Sequence, residues 1–125
     1  MKRLALVFLI ILPSCSTFNT ATSTVDMTTL AKSAYTAKAT YAGLLVLAVA
    51  YNQRPPCGGT VIICRDPVVV DQLRKASAAA DAGTQAGENA VRTLGSNPLV
   101  VQAAVVGAEQ SVAAFKAITD AYGSK

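Results

Sequence analysis

From residue 26 onward, the apolar and small residues of this chain recur every three or four positions. This spacing places them along one side of a helix, where they form a packing seam. The first seam comprises Met27, Leu30, Ala34, Ala37, Tyr41, Leu44, Ala48 and Tyr51. The second comprises Val69, Leu73, Ala76, Ala80, Gly83, Gly87, Ala90 and Leu94. The third comprises Val101, Ala104, Val105, Ala108, Ser111, Val112, Phe115, Ile118 and Tyr122. The pattern therefore predicts three helices of similar length.

Capping residues stand where each of these helices is expected to begin. Asp26 precedes the first seam, Asp66-Pro67 the second and Asn97-Pro98 the third. Asp and Asn accept hydrogen bonds from free helix N–H groups, and proline is favoured at the first helical position. Gly95-Ser96 is expected to end the second helix, and Gly123 the third. We therefore predict an all-α fold over residues 26–125, an antiparallel three-helix bundle.

The second half of the first helix, residues 42–50, is apolar on every side. A helix of this kind is buried, or it contacts a partner or a membrane. The uncharged stretch is shorter than the roughly 20 residues that a membrane-spanning helix needs. We expect the two neighbouring helices to cover it, and self-association is the alternative because so small a domain hides such a helix with difficulty.

Two features of the second helix carry further expectations. Gly83 and Gly87 lie on its seam, and such small seam residues let helix axes approach closely. The cost of two glycines inside a helix is tolerable if a bulky neighbour such as Leu44 or Phe115 fills the space. The charged residues mostly avoid the seam and are expected to form a solvated face. They are Asp71, Arg74, Lys75, Asp81, Glu88 and Arg92.

The N-terminus has the layout of a secretory signal. Met1-Lys2-Arg3 is basic, and residues 4–12 form an unbroken apolar run. Leu12-Pro13-Ser14-Cys15 resembles the lipobox of bacterial lipoproteins, although Pro13 departs from the usual residue at its position. The resemblance implies that residues 1–14 are removed and that Cys15 carries the lipid, palmitate included. In bacterial lipoproteins, an Asp directly after the lipidated cysteine is associated with retention in the inner membrane. Ser16 stands at that position here, so the resemblance implies sorting to the periplasmic side of the outer membrane.

Residues 15–25 then form the lipidated cysteine and a Ser/Thr-rich segment, which we expect to act as a flexible tether. With Cys15 assigned to lipid, Cys57 and Cys64 remain, and an even pair in an exported domain predicts a disulfide. The disulfide closes the loop between the first and second helices. The loop is either a structural staple alone or a staple with a recognition role. In the second case its contact residues would be Val61, Ile62, Ile63, Arg54 and Arg65.

The residue inventory argues against several classes of function. The chain has no histidine, no redox Cys-x-x-Cys motif and no phosphate-binding glycine loop. We therefore expect no catalytic residues, no cofactor and no metal site. Without Lys2 and Arg3 the formal charge falls from +4 to +2, and no basic block remains, so nucleic-acid binding is not expected.

The sequence thus predicts a lipid-anchored envelope protein that acts as a structural or protein-binding module. One alternative is a self-assembling envelope or secretion-apparatus subunit that uses the apolar faces of the first and third helices. Another is an inhibitor or immunity-type protein that uses the loop at 57–64. The small size and layout also resemble phage-encoded envelope lipoproteins.

Overall fold

The computed structural model describes residues 26–58, 63–93 and 97–123, and within them it confirms the predicted bundle. The helices are α1 (Met27–Asn52), α2 (Pro67–Thr93) and α3 (Pro98–Gly123). All three pack against one another, and α2 packs more extensively against α3 than α1 packs against either. The chain runs up, down and up, so α1 and α3 point the same way. The tether and Cys15 lie outside the described residues.

The three predicted caps are confirmed. The Thr28 N–H donates to Asp26 Oδ1 at 3.0 Å, and the Val68 N–H donates to Asp66 Oδ1 at 2.8 Å. The Val100 N–H approaches Asn97 Oδ1 at 3.4 Å. Each cap satisfies a backbone donor that the first turn of a helix leaves without an intrahelical partner. These contacts set where each helix begins.

The predicted seams form the core. Phe115, Val101 and Ala80 are completely buried, and every described seam residue is buried or half-buried. Phe115 lies at the centre of the larger of two apolar clusters, where its ring centroid is 5.9 Å from that of Tyr41. The smaller cluster lies at the end of the bundle where α1 and α3 begin. It comprises Ala34, Ala90, Val101 and Val105.

The glycines of α2 serve the close helix approach that small seam residues predict, but the expectation of a bulky neighbour was wrong. A Cβ at Gly83 would lie 3.2 Å from the Ser111 Cβ, and one at Gly87 would lie 3.2 Å from the Ala108 Cβ. These positions therefore face small residues of α3 and not a large side chain. Removing the Cβ atoms lets the two helix backbones approach closely, which Leu44 or Phe115 at this contact would prevent.

The core also contains polar residues that the seams did not predict. Thr84 and Thr119 are each 2% exposed, and their hydroxyls donate to Asp81 O at 3.0 Å and Phe115 O at 2.9 Å. These helix carbonyls satisfy the buried hydroxyls, which removes most of the cost of burying them. In the part of the chain that the structure describes, no buried side-chain nitrogen or oxygen lacks a partner.

Both α1 and α3 carry large apolar side chains that the bundle leaves exposed. Among the described residues, α3 is long and apolar enough to cross a membrane by length and composition. A core helix satisfies the same criterion; in α3, Phe115 and Val101 are buried in the core, whereas Leu99, Val100 and Val106 are exposed. The second half of α1 was expected to be covered by its neighbours, and that expectation was wrong. Its outward side chains are exposed, as described below.

Candidate functional site

The disulfide between Cys57 and Cys64 is confirmed, with their Cα atoms 4.8 Å apart. Backbone hydrogen bonds close the loop just outside it: the Cys57 N–H donates to Arg65 O at 3.2 Å, and the Arg65 N–H donates to Pro55 O at 2.8 Å. A β-bridge between Pro56 and Arg65 results. The two ends of the loop are therefore held together by covalent and hydrogen bonds.

Aromatic and basic side chains fasten this loop to the end of α1. Tyr51 is 5% exposed, and its hydroxyl accepts the backbone N–H of Asp66 at 3.0 Å. The Arg54 guanidinium lies 5.0 Å from the centre of the Tyr51 ring. Arg65 Nη1 donates to the Asn52 backbone O at 2.8 Å and to its side-chain Oδ1 at 3.2 Å. Both arginines thus have partners within the loop and at the C-terminus of α1.

The predicted contact residues of the loop are only partly described. Ile63 is 58% exposed, which leaves it accessible to a partner. Val61 and Ile62 lie outside the described residues, so the proposed apolar tip stays a prediction. Arg54 and Arg65 are half-buried. A recognition role for these two arginines likewise stays a prediction, and their described contacts are those of a staple.

A second surface lies on the outward side of α1. We call Leu45, Val46, Leu47 and Val49 the α1 outer face. Their exposed fractions are 37%, 69%, 50% and 48%. Leu44 and Tyr51 on the opposite side of the same helix are buried. Four large apolar side chains within five positions are more than the scattered exposure that ordinary surfaces show. This surface therefore requires an explanation.

No charge interrupts the α1 outer face. Residues 39–53 contain no Asp, Glu, Lys or Arg. Leu45, Val46 and Val49 border a shallow depression of about 340 Å³, together with Ala50 and Gln53. Charged residues are depleted at the centres of protein interfaces, so this composition is typical of a docking surface. The sequence signal for it was the apolar run itself. The prediction that this run is buried was wrong because the two neighbouring helices cover only one side of α1.

An ion-pair cluster joins the first half of α1 to α2. Glu88 is 8% exposed, and its carboxylate accepts from Lys38 Nζ and from Arg92 Nη2. The hydrogen bond from Lys38 lowers the pKa of Glu88; burial opposes this shift and the charge of Arg92 reinforces it. The pKa of Arg92 is raised, mainly by its hydrogen bond with the Tyr35 hydroxyl and secondly by the charge of Glu88. The expectation of a wholly solvated charged face was thus wrong for Glu88. Its place next to Gly87 on the seam was the available signal.

The remaining surface offers little for chemistry. A groove of about 390 Å³ between α1 and α3 has an apolar floor, including Ala37 and Val112, with Lys32, Lys116 and Glu109 along it. Lys116 pairs with Asp120. Within residues 26–58, 63–93 and 97–123, no three His, Cys, Asp or Glu residues stand close enough to hold a metal ion.

Comparison with known proteins adds no relative. No protein-family model, no curated protein and no solved structure matches this chain. Its function must therefore be inferred from its own residues.

Proposed function

We propose that this protein is a lipid-anchored component of the bacterial envelope, with the bundle on the periplasmic side of the outer membrane, and that it acts by binding another macromolecule and not by catalysis. The observation that carries the binding role is the α1 outer face, which is apolar, uncharged and left exposed by the fold. Burying such a surface against a partner is favourable because it removes apolar area from water.

The anchor rests on the N-terminal sequence. The lipobox-like Leu12-Pro13-Ser14-Cys15 supports lipid attachment at Cys15, and the pairing of Cys57 with Cys64 leaves Cys15 without a disulfide partner in its own chain. The disulfide is also consistent with an oxidising compartment such as the periplasm. In fractionated cells, Cys15→Ala should move the protein from the membrane pellet to the soluble fraction. Unchanged membrane association would refute the anchor.

The binding role is tested by chemically crosslinked pull-down of the full chain from native envelopes. The double variant Val46→Ser, Val49→Ser should lose its crosslinked products because it makes the α1 outer face polar. Leu99→Ser with Val100→Ser is the matched control, since these residues are also exposed and lie at the start of α3. Equal products from both double variants would show that the α1 outer face is not the binding surface.

The loop supports a second candidate, an inhibitor or immunity-type protein. The exposed Ile63 beside the disulfide favours it. Replacing Val61, Ile62 and Ile63 together by Ser should then abolish partner capture while circular dichroism shows unchanged helicity. Capture at the wild-type level would exclude the loop as the contact.

A further inference from the structure

We propose that the occupant of the α1 outer face is the same face of a second copy of this chain, so that the protein forms a two-fold symmetric dimer on the membrane. The inference deepens the proposed binding function and rests on it. In such a dimer each α1 packs against the other, and both copies bury the same residues.

The charge distribution favours self-pairing. In a two-fold interface a side chain near the axis meets its own counterpart, so any charged group there faces a like charge. The stretch from Ala39 to Gln53 contains no charged residue. The nearest basic residue on its N-terminal side, Lys38, pairs with Glu88, and Arg54 lies over Tyr51 on its C-terminal side. The surface therefore brings no electrostatic repulsion against its own copy.

The shape of the α1 outer face also suits packing against a second helix. Val46 projects furthest into solvent, and the depression of about 340 Å³ lies beside it. Gly43 lies one turn before Leu47, and a Cβ built at Gly43 would meet no atom within 4 Å. Large side chains next to small residues and a depression allow knobs of one helix to enter the spaces of another.

A lipid surface fits these residues less well. Helices that lie in a membrane interface are rich in Lys or Arg on their polar face, and they present Trp, Phe or Leu to the bilayer. Residues 39–53 have no basic residue, and Tyr51, one of the two aromatic residues there, is turned into the bundle. Tyr41, the other, is half-buried and packs against Phe115. The outer face thus has the exposed leucines of a lipid-binding helix but lacks the basic residues that would contact lipid headgroups.

The area of the face sets the strength of the dimer. Its four side chains expose roughly 350 Å², within the range of about 300–600 Å² for the largest apolar patch of a typical monomer. A standard stable interface buries about 800 Å² on each partner. The contact is therefore weak in dilute solution. Attachment of both copies to one membrane confines them to a thin layer and raises their effective concentration, which favours pairing there.

The test places a photo-crosslinking benzoylphenylalanine at residue 46 of the full chain and irradiates native envelopes. The control carries it at Ala82, an exposed position on α2. We expect a product of twice the monomer mass from residue 46, at least tenfold above that from residue 82. Adding Val49→Ser to the residue 46 variant should reduce that product severalfold.

The other outcomes separate this inference from the proposed function. A product of a different protein mass would show a heterologous partner, which refutes the dimer and leaves the binding role in place. A lipid adduct, or no adduct on correctly folded and membrane-bound protein, would refute both. Folding is checked by helicity and by the Cys57–Cys64 disulfide in the same sample, and residue 46 tolerates the bulky probe because its native Val46 is 69% exposed.

Discussion

The two halves of α1 face the same bundle but differ in what they present to solvent. The first half, residues 27–38, has a polar outward side with Thr28, Thr29 and Lys32, and Lys38 pairs with Glu88 of α2. The second half, residues 39–52, presents the α1 outer face and has no charge. Both halves contribute buried seam residues at the same spacing, Ala34 and Ala37 in the first and Leu44 and Tyr51 in the second.

Both halves thus pack against the bundle through a buried inward side, although their outward sides differ in polarity. The four apolar residues on the outward side of the second half stay between 37% and 69% exposed, so folding of the monomer buries only part of their surface. An association surface explains the exposed part, because that part is buried only when a partner is present. The following predictions separate what stabilises the bundle from what serves association, beginning with the largest effect.

The largest effect should come from Leu44, on the inward side of the second half. Leu44→Ala removes a buried side chain that is 7% exposed, and we expect it to lower the free energy of unfolding by about 2–5 kcal/mol. Val46→Ser, two positions along on the outer face, should change it by less than about 0.5 kcal/mol. Urea unfolding followed by circular dichroism measures both. A comparable loss for Val46→Ser would mean that the outer face contributes to the monomer.

The disulfide should have the next largest effect, because it holds the loop at the end of the second half. Closing an eight-residue ring stabilises the fold by roughly 2.5 kcal/mol on the chain-entropy model. Replacing Cys57 and Cys64 together by Ser should therefore lower stability by about that amount. Hydrogen exchange should rise around Tyr51 more than around Ala34. Uniform exchange along α1 would show that the loop does not fasten its C-terminus.

A matched pair of glycine variants compares the second half of α1 with the α2–α3 contact. Gly83→Val forces a side chain against Ser111 and Ala108, and such overpacking costs about 1–3 kcal/mol. Gly43→Val enters open space, so it should be neutral or stabilise by roughly 0.3 kcal/mol, because the helix propensity of Val is only slightly above that of Gly. Thermal unfolding of both variants is the measurement. Equal losses would contradict the close approach of α2 and α3.

The smallest effect should come from the first half, through Glu88. Because its pKa lies below the ordinary value of 4.5, Glu88 stabilises the fold above that pH, and this contribution is lost as the pH falls through the lowered pKa. Both cations are largely exposed, which limits its size. Glu88→Gln should flatten the fall in melting temperature below pH 4.5.

Asp26 provides the control for that experiment. The backbone N–H of Thr28 lowers its pKa, so Asp26→Asn removes a separate part of the acid-induced loss. The effects of the two variants on the pH slope should add because the residues share no partner. An unchanged slope in Glu88→Gln would show that the Lys38–Glu88–Arg92 cluster does not couple α1 to α2.

The sequence predicted the inward side of this bundle well. The three- and four-residue spacing identified Leu44, Phe115 and the other described seam residues, and Asp26, Asp66 and Asn97 marked the helix starts. These features depend only on the local sequence or on the helical period. They can therefore be predicted without knowing which helices pack against each other. Cysteine parity similarly identified the pairing of Cys57 and Cys64.

What the sequence could not predict depends on which elements face each other. The burial of Glu88 requires Lys38, 50 positions earlier, to lie across from it. The small seam residues predicted a close approach of α2 to another helix, but not that Ser111 is the neighbour of Gly83. Val46 is exposed because only two helices are available to cover α1. The periodicity of the α1 sequence carries no information about that number. For the same reason the predicted contact role of Ile63 stays a prediction.

The central claim is that the second half of α1 joins two copies on a membrane. The most direct test reconstitutes the full chain in vesicles, with donor and acceptor fluorophores at residue 82, and measures energy transfer as the protein-to-lipid ratio is varied. We predict transfer above that of randomly placed molecules, rising with density, and an apparent association constant at least tenfold lower in Val46→Ser, Val49→Ser. The control Leu99→Ser, Val100→Ser should match the wild type. Transfer at the random level for the wild-type chain, or an equal loss in both double variants, would contradict the account.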